Sequence, residues 1–139
     1  RSLDGFTWHD VTPTIAPGLS YHTQQFDSVA TAPDGTTYVG GWQGTLVRTR
    51  NQGETWDTLA IPVELRNMPV SAIAIDDAGR VFATTYDAIL RSDDGGDSFE
   101  IEYKNPRVEH HLWHQALWVG SQGDAIAVGS HGTMVVRQR

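Results

Sequence analysis

Three glycines in this chain, Gly35, Gly79 and Gly123, stand 44 residues apart, and similar sequence surrounds each of them. The stretches that lead into them, residues 28–35, 72–79 and 116–123, each run from small or apolar residues into a polar turn. Self-similarity at a fixed period of about 20 to 50 residues is the signature of a repeat architecture, in which each repeat is one supersecondary unit. The sequence therefore predicts three copies of one structural unit.

Each unit is predicted to contain short β-strands joined by tight turns. After each glycine comes a segment rich in β-branched, aromatic or alternating apolar residues, at 36–40, 80–85 and 124–129. Tight connections at Gly44, Ala88 and Gly132 lead to third strands at 45–48, 89–91 and 133–136. Fourth strands are predicted at 55–61 and 98–103. Four short strands in a unit of this length are typical of a β-propeller blade, so the predicted fold class is all-β.

The composition argues against several classes of function. The 139-residue chain has no cysteine, which excludes disulfides and thiolate metal sites, and its formal charge of −7 disfavours nucleic acid and anionic membranes as partners. No apolar run approaches the roughly 18 residues that cross a bilayer, and residues 1–5 lack the apolar core of a signal peptide. We therefore predict no membrane insertion and no cofactor, and the cellular compartment stays open.

A second motif follows the third strand and fits the pattern Ser/Thr-x-Asp/Asn-x-Gly-x-Ser/Thr-aromatic. Its key positions in two full copies are Thr49, Asn51, Gly53 and Trp56, then Ser92, Asp94, Gly96 and Phe99. A copy one residue shorter stands near the start of the chain, at Ser2, Asp4, Gly5 and Trp8. Hydroxyl and Asx side chains accept hydrogen bonds from turn amides, and the glycine supplies a positive φ. The motif is therefore predicted to be a turn whose aromatic residue re-enters the core.

This motif resembles the Asp-box of the bacterial neuraminidase repeat (BNR) family, found in sialidase-like β-propellers and in photosystem II stability/assembly factor-like proteins. The resemblance covers nearly the whole chain. It implies that the Asp-boxes lie at the blade periphery, away from the ligand face, so that Asp4, Asn51 and Asp94 are structural and not catalytic. Sialidases use an arginine triad and a tyrosine nucleophile with a glutamate partner, and this chain shows no Phe/Tyr-Arg-Ile-Pro segment near its start.

The predicted strands divide into unequal units. An orphan outer strand (1–13) precedes a blade at 26–61, a blade at 70–103 and a three-stranded part-blade at 115–139, which an N-terminal strand would complete. Three blades are too few to close a ring, since propellers have about four to eight. We therefore expect a homodimer in which strand exchange between two chains forms a six-bladed β-propeller. A fragment of a longer propeller, a trimeric ring or another assembly is the alternative.

Candidate ligand residues lie in the hairpins between second and third strands, where the repeats differ in ways that packing does not demand. Equivalent positions in the three hairpins hold Trp42 and Gln43, then Tyr86 and Asp87, then Ser130 and His131. An aromatic ring beside a polar neighbour suits a sugar ring or a peptide side chain. The alternative is that Trp42 and Tyr86 only pack across neighbouring blades.

The predicted connections between blades place His22, Arg66 and His110 at one equivalent position, again 44 residues apart. Further basic residues of the same region are Arg107, His111 and His114. Together they would form a locally basic, pH-dependent patch for a carboxylate or an acidic peptide. The alternative is a set of exposed polar loop residues with no ligand. The histidine spacing in 109–114 does not match a zinc motif, so no metal site is predicted.

These features favour a non-enzymatic binding or assembly scaffold that recognises a peptide or protein on the axial face of the propeller. Two alternatives stay open. One is a carbohydrate-binding, lectin-like propeller that stacks sugars on Trp42 and Tyr86. The other is a glycoside hydrolase, since two correctly spaced acids suffice for that chemistry. No catalytic residue is predicted.

Overall fold

The chain forms three antiparallel sheets in the computed structural model, which describes residues 7–11, 25–106 and 113–138. The first sheet contains β1 (Phe26–Thr31), β2 (Thr37–Gly41), β3 (Leu46–Thr49) and β4 (Asp57–Thr58). The second contains β5 (Ala72–Ile75), β6 (Val81–Thr84), β7 (Ala88–Ser92) and β8 (Glu100–Lys104). The third contains β9 (His114–Val119), β10 (Ala125–Gly129) and β11 (Met134–Arg137). The all-β prediction is therefore confirmed.

Among the described residues, Val63–Leu65 forms a single-turn 3₁₀ helix, whereas the tight turn at Ser130–Gly132 has a positive φ at His131. No described helix is long and apolar enough to span a bilayer. Within each sheet the strands follow one another in chain order, so every described neighbour pair is a simple antiparallel hairpin or turn.

The strand register repeats between sheets. In the first sheet Val39 pairs with Val47, and in the third sheet Ala127 pairs with Val135 at the matching positions. The two hairpins therefore have the same register, which follows from the side-chain period of two and from turns of equal length. Residues of the first sheet can therefore be matched to residues of the third sheet at a fixed offset.

The main core lies between the first and second sheets. Leu46, Leu65, Val70, Val81 and Leu90 are each at most 1% exposed there. Burying a side chain of this type contributes about 1.5 to 3 kcal/mol. Strand β5 contacts β1 on one side and β9 on the other, so the second sheet stands between the other two. The three sheets are thus stacked in sequence order.

A buried and a half-buried arginine tie neighbouring sheets together. Arg48, on β3, is 7% exposed and pairs with Asp97 of the second sheet at 2.6 Å. Arg137, on β11, pairs with Glu102 of the second sheet, and its guanidinium lies 5.6 Å from the centre of the Phe82 ring. A guanidinium held between carboxylates and an aromatic ring gains from both ion pairing and cation–π attraction. Each sheet–sheet junction therefore carries an arginine–carboxylate ion pair, and the junction of the second and third sheets adds a cation–π contact.

The sequence motif at 49–56 and 92–99 forms two turns with matching hydrogen bonds. The amide of Gly53 donates to Thr49 Oγ1 at 2.9 Å, and that of Gly96 donates to Ser92 Oγ at 2.7 Å. The amide of Ser98 donates to Asp94 Oδ1 at 2.9 Å. Hydrogen bonds from the Ser98 side chain and amide hold the pKa of Asp94 well below its ordinary value of 3.8. These bonds satisfy the amides of a tight turn and stiffen it.

The loops of the three sheets divide between two ends. The motif turns lie at one end, together with the turns between first and second strands. The opposite end carries the hairpins at 42–45, 85–88 and 130–133 and the connections between sheets. We call this end the hairpin face. Because antiparallel strands alternate in direction, this division follows directly from the strand order.

The third sheet has an open side. Among the described residues no fourth strand pairs with β11, whereas β4 and β8 complete the first two sheets. The apolar side chains exposed on this sheet are Trp118, Ile126, Val128, Met134 and Val136. Pairing places Trp118, Ile126 and Val136 side by side across the three strands, on one face. An exposed apolar face beside an unpaired strand edge is a surface suited to further packing.

Candidate functional site

Two hairpins on the hairpin face hold a non-glycine residue in the left-handed region. Gln43 and Gly44 have φ of 54° and 67°, and His131 and Gly132 have φ of 55° and 70°. The amide of Thr45 donates to the Trp42 carbonyl at 3.0 Å, and the third hairpin closes in the same way. Positive φ at both central residues is the geometry of a type I′ turn, which matches the twist of paired strands. Gln43 and His131 are therefore displayed at turn tips at a conformational cost of about 1 to 2 kcal/mol each.

The first hairpin presents an exposed indole. Trp42 is 48% exposed, and its amide donates to the Gln25 carbonyl at 2.9 Å. The amide of Gly44 donates to the Met68 carbonyl at 2.9 Å, so the connection to the second sheet packs against this hairpin. Arg66 lies in that connection and is exposed. A cation and an indole are thus displayed on adjoining segments of the same end.

The second and third sheets meet at an aromatic stack. The rings of Tyr86 and Trp113 lie 4.6 Å apart between centroids and are inclined by 8°. Trp113 is 44% exposed, while the amide of Trp113 donates to Ser130 Oγ at 3.0 Å and its carbonyl accepts from the Ser130 amide at 2.9 Å. Three segments therefore fix the position of one partly exposed aromatic surface. Sequence reasoning found Tyr86 and missed Trp113.

His114, predicted as an exposed ligand residue, is fully buried. It is the first residue of β9, and its ring packs edge-on against Tyr103 at 6.4 Å between centroids. Nδ1 lies 3.3 Å from the Thr85 carbonyl, which can only accept, so Nδ1 carries the proton. The prediction that His114 belongs to a surface patch is therefore wrong, because β9 turns this side chain inward between the second and third sheets.

The protonation of His114 is disfavoured in the folded protein. Burial lowers the pKa of His114 below its ordinary value of 6.5, and the Thr85 carbonyl and the Asp87 charge oppose this in part. His114 Nε2 and Asp87 Oδ1 are both buried, and neither has a hydrogen-bond partner within the described residues. The His114 imidazole is thus enclosed between the second and third sheets.

A polar cleft of about 370 Å³ opens beside the third hairpin. Its walls include Tyr103, Asn105, Pro106, His131 and Met134. The Asn105 amide donates to the Asp87 carbonyl at 2.7 Å, which fixes this wall to the second hairpin. The cleft combines hydrogen-bonding groups with apolar surface, as binding sites for peptides and small molecules do.

The structure brings the candidate residues of the hairpins to one end but not into a single cluster. Trp42 and Gln43 belong to the first sheet, whereas Tyr86, Asp87 and His131 lie around the junction of the second and third. His22 and His110 lie outside the described residues, as do Ser2, Asp4 and Gly5 of the short motif copy. Among the described residues, no group of three His, Cys, Asp or Glu side chains could hold a metal ion.

Several solved protein structures are similar to this one, although the sequence itself matches no family. No family model and no curated protein matches the sequence. Similar solved structures include YCF48 bound to D1 peptide, with a TM-score of 0.68, 15% identity and coverage of 83% of this chain and 38% of that one. YCF48 from Cyanidioschyzon merolae gives a TM-score of 0.65 and 21% identity over 82% of this chain and 34% of that one.

A third similar structure is a catalytically inactive virginiamycin B lyase from Staphylococcus aureus with quinupristin. It gives a TM-score of 0.61 and 13% identity over 87% of this chain and 43% of that one. These neighbours are β-propeller proteins. The fold is that of a β-propeller. The chain spans less than half the length of each of these three structures.

Proposed function

We propose that this chain is a non-enzymatic binding or assembly scaffold that recognises a peptide or protein through the hairpin face, the axial face of the propeller. The observation that carries the proposal is the Tyr86–Trp113 stack, a partly exposed aromatic surface fixed by three segments. The cleft at the third hairpin, whose Ser130 accepts a hydrogen bond from the Trp113 amide, offers the exposed His131 as a hydrogen-bonding group. An apolar platform next to a few polar groups suits an extended peptide.

The similarity to YCF48, solved with a D1 peptide, supports a peptide as the ligand class. Virginiamycin B lyase, an enzyme, has a similar fold, so the fold alone does not decide between a binding protein and an enzyme. The proposal therefore rests on the aromatic surface and the cleft. The motif residues around Asn51 and Asp94, at the opposite end, are proposed to be structural.

A displayed peptide library tests this function. Peptides that bind the unaltered chain should lose at least about tenfold in affinity for Trp113→Ala, since one aromatic contact contributes roughly 1 to 2 kcal/mol. Trp113→Phe is the matched control, because it keeps a ring that can stack on Tyr86 and should retain most of the affinity. Peptides that bind both variants as well as the unaltered chain would contradict the proposed site.

A carbohydrate ligand is the second candidate, favoured by the exposed rings of Trp42 and Trp113. A glycan array separates it from the first. Specific sugar binding that Trp42→Ala abolishes would replace the peptide proposal, and absence of any glycan signal would remove the lectin alternative. Chromogenic glycosides added to the same samples test the hydrolase alternative, which turnover would establish.

We also propose that two copies of the chain form a six-bladed ring, with each sheet acting as a blade. The domain boundaries proposed for it are an outer strand at 1–13, blades at 26–61 and 70–103, and a part-blade at 115–139. The open edge of β11 and the exposed apolar face of the third sheet support this arrangement. The ring would place the hairpin faces of both copies on one side.

A further inference from the structure

Residues 7–11 repeat the fourth strand of the first sheet in sequence. Trp8 is followed by two polar residues and Val11, just as Trp56 is followed by two polar residues and Leu59. A threonine precedes each of the two tryptophans. The segment therefore has the pattern of a fourth strand, but it precedes every described strand of the chain.

The contacts of this segment repeat those of the fourth strand. A Cβ placed on Gly96 of the second sheet would lie 2.8 Å from Leu59 Cδ1. A Cβ placed on the equivalent Gly53 of the first sheet would lie 3.7 Å from Val11 Cγ2. Val11 thus stands toward the first sheet as Leu59 stands toward the second. Residues 7–11 take the place of the outer strand of a sheet that would precede the first one.

The aromatic residue of the segment lacks the packing that its equivalents have. Trp8 is 86% exposed, whereas Phe99 is 9% exposed and Trp56 is half-buried. Phe99 belongs to the buried core and stands in a sheet whose four strands are all described. The exposure of Trp8 therefore indicates a strand separated from the sheet in which it would pack.

The third sheet offers the complementary surface. A groove of about 170 Å³ runs along β11, between that edge and the second sheet, and its lining is mainly apolar. Phe82, Ile89, Tyr103 and Val135 are among the residues that line it. An unpaired strand edge supplies backbone donors and acceptors, and the groove supplies a pocket for alternate side chains. This combination is what strand addition requires.

We infer that residues 7–11 of one copy add to β11 of a second copy as the fourth strand of its third sheet. This inference rests on the proposed homodimer and names the contact that joins the two chains. In the first sheet, Arg48 pairs with Asp57 and Val47 with Thr58. Since β11 is equivalent to β3 and residues 7–11 to 55–59, His9 of one copy lies opposite Val136 of the other.

Engineered cysteines test this register in the full chain, which has no native cysteine. The single variants His9→Cys and Val136→Cys are mixed and oxidised. Cβ atoms directly opposite each other on paired strands come within about 5 Å, close to disulfide distance. The mixture should give a disulfide-linked dimer on a non-reducing gel, severalfold more than either variant alone.

The matched control is a mixture of His9→Cys with Val29→Cys, a valine on the first sheet that is 67% exposed. It should give only background linkage. A dimeric mass in solution without the His9–Val136 linkage would overturn the inference. The two chains would then associate through a different surface. A monomeric mass would overturn the homodimer and this inference together, and efficient linkage in the control would overturn the register.

Discussion

At the scale of single residues, the backbone conformation and the surroundings of the turn glycines explain which positions tolerate change. Gly44 combines a φ of 67° with close backbone contact, whereas Gly35 has a φ of 88° and open space around the missing Cβ. Sequence reasoning marked both glycines from their 44-residue repeat. It could not distinguish them, because the neighbour of Gly44 is a carbonyl from a connection far along the chain.

Replacing Gly44 by alanine should strongly destabilise the fold. The new Cβ would clash with the Arg66 carbonyl, and an L-residue at positive φ adds strain of about 1 to 2 kcal/mol. Gly35→Ala is the control, since it has the strain but no clash. Urea denaturation should give a larger loss in the free energy of unfolding for Gly44→Ala. Equal losses would contradict the described packing of the 59–71 connection.

His114 should make stability fall as the pH drops below about 6.5. Burial lowers its pKa in the folded chain, so the unfolded state binds the proton more readily, and stability is lost from the ordinary pKa downward. Denaturation midpoints of the unaltered chain and of His114→Gln, measured from pH 7.5 to 5, check this. The variant should show a flatter profile in this range. Parallel profiles would show that another group is responsible.

At the scale of elements, the sequence predicted the inner strands well and the fourth strand less well. Alternation identified β10, and the richness in β-branched and aromatic residues identified β2 and β6, which are buried along nearly their whole length. The fourth strand predicted at 55–61 is ordered as β4 over Asp57–Thr58 only. Leu59 and Ile61 are both buried beyond it, so the chain leaves regular pairing to cover the core.

The aromatic stack shows a limit of a different kind. Trp113 lies before the repeated stretch at 116–123, so the 44-residue repeat does not indicate that it contacts Tyr86. The contact depends on how two sheets are placed against each other. Position in a repeat predicts equivalent residues within sheets but not contacts between different loops.

The motif turns should depend on their first hydroxyl. Ser92 is 3% exposed, and its Oγ accepts the Gly96 amide at 2.7 Å, so Ser92→Ala leaves a buried N–H without this acceptor. We expect a loss of about 1 to 3 kcal/mol in the free energy of unfolding. Ser98→Ala, at an exposed position of the same turn, is the control and should cost less. Thermal unfolding that ranks the two variants in the opposite order would contradict this description of the turn.

At the scale of the whole molecule, the stacked sheets leave one apolar face and one strand edge without a described neighbour. The 44-residue repeat predicted three strands at 115–139, and the described residues of this range contain β9, β10 and β11. The sequence could not supply the spatial order of the sheets or the exposure of Trp8 and Trp118. The order of the sheets and the exposure of these two tryptophans depend on how the sheets pack against one another in three dimensions.

An acidic residue on the open edge should prevent assembly without unfolding the chain. Val136 is 48% exposed, so Val136→Asp costs little in one chain but would bury a charge where a fourth strand adds. Val63→Asp, at a valine that is 68% exposed and distant from β11 in sequence, is the matched control. Circular dichroism should find both variants folded, and sizing should find only the first one altered in mass.

The molar mass of the unaltered chain in solution, measured by light scattering on a sizing column, tests the central claim most directly. A closed six-bladed ring requires two chains of 15.3 kDa, so the account predicts a mass near twice that value, reduced to one chain by Val136→Asp. A stable mass of 15.3 kDa for the unaltered chain across micromolar concentrations would contradict the ring.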